Sequence, residues 1–73
     1  MNYKILLREE PEGGFTVFVP SLDGCITYGK TLSEAKSNAR EAIELYIESL
    51  KADNLPLPTD DRLLELSLEI GNA

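Results

Sequence analysis

The chain has 73 residues, 42% hydrophobic and 27% charged, with 13 acidic side chains against 7 basic ones, a net charge of −6 and no histidine. A single domain is expected at this length, burying only about 60% of the surface its unfolded chain exposes, and its negative field would repel a nucleic-acid backbone unless all the cations shared one face. One cysteine, Cys25, cannot close an internal disulfide, and without histidine neither a zinc site nor Cys-His or Ser-His catalysis is expected.

No apolar run approaches the roughly 18 residues that cross a bilayer, and the opening residues are too short for a secretory leader. The expected place is the cytoplasm, with no membrane partner. Residues 3–7 alternate, Tyr3, Ile5 and Leu7 against Lys4 and Leu6, the period of a half-buried strand. Glu9-Glu10-Pro11-Glu12-Gly13-Gly14 follows. Its proline cannot extend a ladder and its glycines can take positive φ, so the chain should reverse there.

Residues 15–19 alternate again, with Phe15, Val17 and Val19 on one face, until Pro20 removes the next donor. Ser21-Leu22-Asp23-Gly24 reads as a turn, and Cys25-Ile26-Thr27-Tyr28 as a short third strand ended by Gly29. Thr31 and Glu34 have capping-box spacing, which starts a helix at Leu32. Along it Leu32, Ala35, Ala39, Ala42, Ile43, Tyr46, Ile47 and Leu50 form one apolar stripe. Asn54 suits a left-handed cap, and Pro56 and Pro58 block continuation. Finally Leu64, Leu66, Leu68 and Ile70 alternate with Glu65, Ser67 and Glu69, which predicts a fourth strand. The fold expected is α+β, in the order βββαβ: an antiparallel meander, one helix on one sheet face, and a C-terminal strand.

One helix covers one face of such a sheet. That face should take Tyr3, Ile5, Leu7, Phe15, Val17, Val19, Leu64, Leu66 and Leu68, leaving Leu6, Phe18 and Leu63 uncovered, with Ile26 or Tyr28 beside them according to the third strand's register. Apolar surface of this kind invites assembly into a dimer or tetramer, or a protein partner. The candidate contact residues are therefore Leu6, Phe18, Tyr28 and Leu63 for apolar surface, and Asp23, Glu41, Glu44 and Glu48 for charge, since a negative helix face steers a basic partner. Asp60-Asp61 with Glu65 reads as solvated or capping rather than as a cation site. Cys25, with no histidine and no basic neighbour nearer than Lys30, reads as a small core residue under the helix. No cofactor and no catalytic residue is indicated.

Glu12-Gly13-Gly14-Phe15 with Val17, then Pro20-Ser21-Leu22-Asp23-Gly24-Cys25, then Gly29-Lys30-Thr31-Leu32-Ser33-Glu34-Ala35 and Asn38-Ala39-Arg40-Glu41-Ala42-Ile43 together resemble the HicB antitoxin family over almost the whole chain. The resemblance implies a partial ribonuclease H-like fold and a binding role: neutralising a HicA toxin, a small basic mRNA-cleaving ribonuclease. It implies no catalysis, because no carboxylates sit on strands as two-metal chemistry requires. Longer HicB proteins continue into a DNA-binding segment, whereas this sequence ends at Ala73, so a short member of the family without direct nucleic-acid contact is expected. A self-assembling scaffold of the same fold with no toxin partner is the alternative, and a metal-dependent nuclease ranks last.

Overall fold

The computed structural model describes residues 1–71; the last two positions of the expected domain lie outside them. Strands β1 (Leu6–Glu9), β2 (Phe15–Phe18) and β3 (Ile26–Gly29) form an antiparallel sheet in the order β1-β2-β3, followed by helix α1 (Leu32–Ala52). The α+β meander and its helix are those expected from the pattern. β1 begins three residues later than the alternation suggests. Leu6 pairs with Phe18, so residues before Leu6 would face Val19 and then Pro20, which has no donor to continue the ladder.

The β1–β2 hairpin closes through Glu10 N–H to Gly14 O and Gly13 N–H to Glu10 O, both 2.9 Å. Gly13 and Gly14 take φ of 102° and 86°, a region costly for any residue with a Cβ. Gly29 serves differently. It is where β3 passes the first turn of α1, and a Cβ there would fall onto the backbone of Ala35.

Thr31 caps the helix, its Oγ1 accepting from Glu34 N–H at 3.1 Å. The Glu34 carboxylate reaches back to the amide of Lys30 at 3.1 Å rather than to that of Thr31 as the capping box predicts. At the other end Asn54 is left-handed, φ 56°. Asn54 N–H donates to Lys51 O and Leu55 N–H to Leu50 O, the two bonds of a Schellman ending.

The core has two parts. Val17, Ala35 and Ala39 are buried together, with Ile5 and Phe15 packed against them. The small alanines allow the close approach of helix and sheet that Gly29 also requires. Val19, Leu22 and Cys25 form the second part, covered by Tyr3, Ile5, Ala42, Ile43, Tyr46 and Ile47, so Cys25 lies under the helix as expected. Leu22 was not foreseen in the core. It comes from a turn, yet is 1% exposed.

The helix lies over β2 and β3. Leu7, expected in the core, is consequently left 37% exposed on β1, and Leu32 52% exposed on the helix's first turn. The larger departure is at the C-terminus. Residues 63–70 form no strand, and Leu64, Leu66, Leu68 and Ile70 are 65–83% exposed instead of filling the helix-facing layer.

The physical reason is a turn, in which Leu63 N–H donates to Asp60 O at 3.0 Å. It is held in place because Asp60 accepts from Lys4 N–H and Ser21 Oγ, both at 2.5 Å, and Tyr3 OH donates to Pro58 O. These bonds fasten residues 58–60 beside the N-terminal segment, Lys4 Nζ pairs with the Glu65 carboxylate at 3.0 Å, and the chain beyond leaves the body as an arm. The radius of gyration, 14.4 Å, exceeds the about 11 Å of a compact chain this long.

Candidate protein-binding surface

The register decides what the uncovered sheet face carries. Residues directly opposite in an antiparallel ladder share a face, so Leu6, Phe18 and Ile26 form one row across all three strands, and Arg8, Thr16 and Tyr28 form the next. Both Ile26 and Tyr28 therefore face outward, which the sequence left open. Leu6, Ile26 and Tyr28 are 44%, 59% and 46% exposed, and together with half-buried Phe18 they make a continuous apolar strip.

A polar clamp borders that strip. The Arg8 guanidinium lies over the Phe18 ring at 5.2 Å from its centroid, close enough for a cation–π contact. Glu10 holds it there, accepting from Arg8 Nη2 at 3.1 Å and Nε at 3.2 Å, while Thr16 Oγ1 donates to the same carboxylate at 2.6 Å. These bonds from Thr16 and Arg8 keep the Glu10 carboxyl below its ordinary pKa. The clamp was not foreseen from the sequence, because the pairing of Arg8 with Thr16 is a matter of register.

Asp23 lies beside this strip. It is exposed in the turn after β2 and lines a shallow hollow of about 220 Å³ with Phe18, Leu22 and Ile26. Glu41, Glu44 and Glu48 are exposed on α1, which packs on the opposite sheet face. The expected charged residues thus divide between two surfaces. Leu63 is not on the sheet at all; it is half-buried at the base of the arm, because the turn at Asp60 takes the chain off the sheet.

Glu44 and Glu48 border a second feature, a groove of about 690 Å³ between α1 and residues 1–5. Its floor is Met1, Tyr3, Ile5, Ala39, Ile43 and Ile47, and three cations, Lys36, Arg40 and Lys51, stand along it. The helix face is therefore mixed in sign rather than uniformly acidic.

No group of three or more possible metal-ligating side chains occurs among the described residues. Asp60, read from the sequence as solvated or capping, is a structural acceptor whose carboxyl Ser21 and the Lys4 amide hold below its ordinary pKa. Burial pushes the Cys25 thiol up, away from the thiolate a nucleophile needs. No described helix is long and apolar enough to cross a membrane. What these surfaces offer is protein contact: apolar strips with charged margins, the composition of interface centres and rims.

Comparison with known proteins gives the same direction. Residues 3–71 match the family described as HicB_like antitoxin of bacterial toxin-antitoxin system. A UPF0150 protein of Synechocystis is 48% identical over 64 residues, covering 88% of this chain and 81% of that protein. Antitoxin HicB of Escherichia coli is 30% identical over 78 residues, covering 99% of this chain and 56% of that protein. Among solved structures, a chain of a HicA3 and HicB3 toxin-antitoxin complex superposes with a TM-score of 0.67 at 37% identity, covering 81% of this chain and 67% of that one.

Proposed function

The chain belongs to the HicB-like antitoxin family, a family of binding proteins rather than enzymes, and from that premise we propose that it binds and neutralises a small basic toxin of the HicA type. The observation that carries this is the likeness, at 37% identity, to a chain solved in a HicA3 and HicB3 complex. Inhibition is by occlusion: the antitoxin covers the toxin's RNA-binding surface and performs no chemistry itself.

On this reading the outer strip of Leu6, Phe18, Ile26 and Tyr28 is the water-excluding centre of the interface, and Asp23 at its margin meets a toxin cation. Glu41, Glu44 and Glu48 contribute at longer range by steering a basic partner, which raises the association rate more than the final affinity. The protein works in the cytoplasm, where mRNA is cleaved, and assembles with further copies of itself. The uncovered arm is equally what a self-assembling scaffold would need, so that alternative is tested alongside.

The test is an RNA-cleavage assay with a HicA-type toxin. Stoichiometric addition should abolish cleavage, and Phe18→Asp should restore it while the helical circular dichroism persists. Undiminished cleavage at excess antitoxin would leave the scaffold reading.

A further inference from the structure

One row on the outer sheet face is fastened at both ends by the chain itself. Arg8, Thr16 and Tyr28 stand opposite one another across β1, β2 and β3. At one end Arg8 donates from Nε and Nη2 to the Glu10 carboxylate, which also accepts from Thr16 Oγ1. At the other end Tyr28 OH donates to Gly13 O at 3.0 Å, and its phenol occupies the place where a Cβ on Gly14 would stand.

The hairpin explains the fastening. Glu10 is bound into the turn through its own amide and carbonyl, so its side chain starts from a fixed point close behind Arg8. Register then brings Thr16 opposite Arg8 and within reach of the same carboxylate.

The Arg8 side chain is 64% exposed, and an ion pair so open adds little to folding stability. Its effect is to hold a side chain with many rotamers in one place, over the Phe18 ring. A guanidinium has five N–H donors. Glu10 engages those of Nε and Nη2, and Nη1 has no hydrogen-bond partner among the described residues. The free donors therefore stand at the apolar strip read above as the toxin-binding centre.

Charge limits what they can meet. Glu10 neutralises Arg8 locally, so the pair does not repel a basic partner, and it offers a second carboxylate no net attraction. A neutral acceptor fits. We propose that Arg8 is a contact residue for the toxin, donating from Nη1 to a main-chain carbonyl of it, and that Glu10 and Thr16 are positioning residues that hold the guanidinium over Phe18 for that contact. The inference rests on the toxin-binding reading of this face. Arginine beside aromatic side chains is the composition of residues whose loss weakens interfaces most, and a side chain ordered in advance loses less freedom on docking.

The test is the dissociation rate of the complex with a HicA-type toxin. Arg8→Lys keeps the charge but loses the planar fork, and it should speed dissociation about tenfold or more. Thr16→Val removes the hydroxyl at nearly constant volume and should speed it about threefold, while Thr16→Ser restores the parent rate. In the Arg8→Lys background Thr16→Val should have no further effect, a result that a Thr16 acting only on the fold would not give. The ratio of Arg8→Lys to parent should be equal at low salt and at about 0.5 M, as for a neutral acceptor. The free variants should melt within about 5 °C of the parent.

Parent-like dissociation of Arg8→Lys, a Thr16→Val effect that persists beside it, a ratio that shrinks with salt, or a larger melting loss would each overturn the proposal. Failure of the parent chain itself to bind the toxin would overturn the toxin-binding reading and this inference with it. Parent-like binding by every variant would overturn this inference alone.

Discussion

Leu22 is the largest of the fully buried side chains, 1% exposed, and it sits with Val19 and Cys25 beneath Ile43, Tyr46 and Ile47. Leu22→Ala removes three carbons, worth about 0.8 kcal/mol each in transfer, or roughly 2.4 kcal/mol. A cavity contribution adds to this because the site cannot easily collapse. Leu22 N–H donates to Val19 O and Cys25 N–H to Leu22 O, both at 3.0 Å, so the turn backbone is tied on either side. The expected loss is about 3–4 kcal/mol, inside the usual span for buried leucine. A 73-residue domain has about 4–11 kcal/mol in all, and about 3 kcal/mol lowers Tm by roughly 12–24 °C at this size.

Urea unfolding followed by circular dichroism at one fixed protein concentration measures the loss. Leu45→Ala is the control, since Leu45 is 59% exposed on the helix and its truncation should change stability by less than about 0.5 kcal/mol. A loss under about 1.5 kcal/mol for Leu22→Ala, with an unchanged denaturant slope, would refute the reasoning that this turn residue seals the core.

Gly29→Ala puts a methyl group on the Ala35 backbone and should cost about 1–3 kcal/mol by the same measurement; an unchanged midpoint would mean that β3 and α1 separate freely. Asp60 and Glu10 have carboxyls lowered on folding, by Ser21 and the Lys4 amide in one case and by Thr16 and Arg8 in the other. Such groups contribute stability above the unfolded carboxylate pKa near 4, and that stability is lost as pH falls through the lower folded value. Stability should accordingly fall less steeply below about pH 4 in Asp60→Asn with Glu10→Gln than in the parent, and parallel acid profiles would remove both groups from the account. Glu41→Lys, Glu44→Lys and Glu48→Lys together change the charge by two at each of three sites, from −6 to 0. On the toxin-binding reading this slows association about tenfold or more at low salt with little change in dissociation. Salt-independent association equal to the parent's would take these glutamates out of the steering role.

The candidate surface was partly legible in advance. Leu6 and Phe18 follow from period-two alternation, which any sheet pairing respects, and they do share the outer face. Tyr28 was one of two choices, and the register supplies both it and Ile26. Asp23 proves to lie at the edge of that strip, whereas Glu41, Glu44 and Glu48 belong to the helix layer. Leu63 was placed on the sheet by the same alternation that continues through Ile70, but alternation says only that a segment can be a strand. It does not say which edge receives it.

What the chain's own order of residues determined is short in range: the Gly13-Gly14 reversal, the Thr31 cap, the one-sided helix and its left-handed ending at Asn54. In each the cause lies within a few residues of the effect, in φ restrictions, missing donors or i, i+4 spacing. The motif that relates the chain to HicB-like antitoxins is of the same kind, being largely turns, caps and a small core thiol. Only the tertiary structure decided that a turn leucine is among the core's most buried residues, that α1 sits over β2 and β3 and leaves Leu7 at the margin, and that Asp60 turns the last leucines outward. Those outcomes rest on contacts between residues far apart in sequence, such as Tyr3 with Pro58 and Lys4 with Asp60, and no local period encodes which distant group will be there to accept the bond.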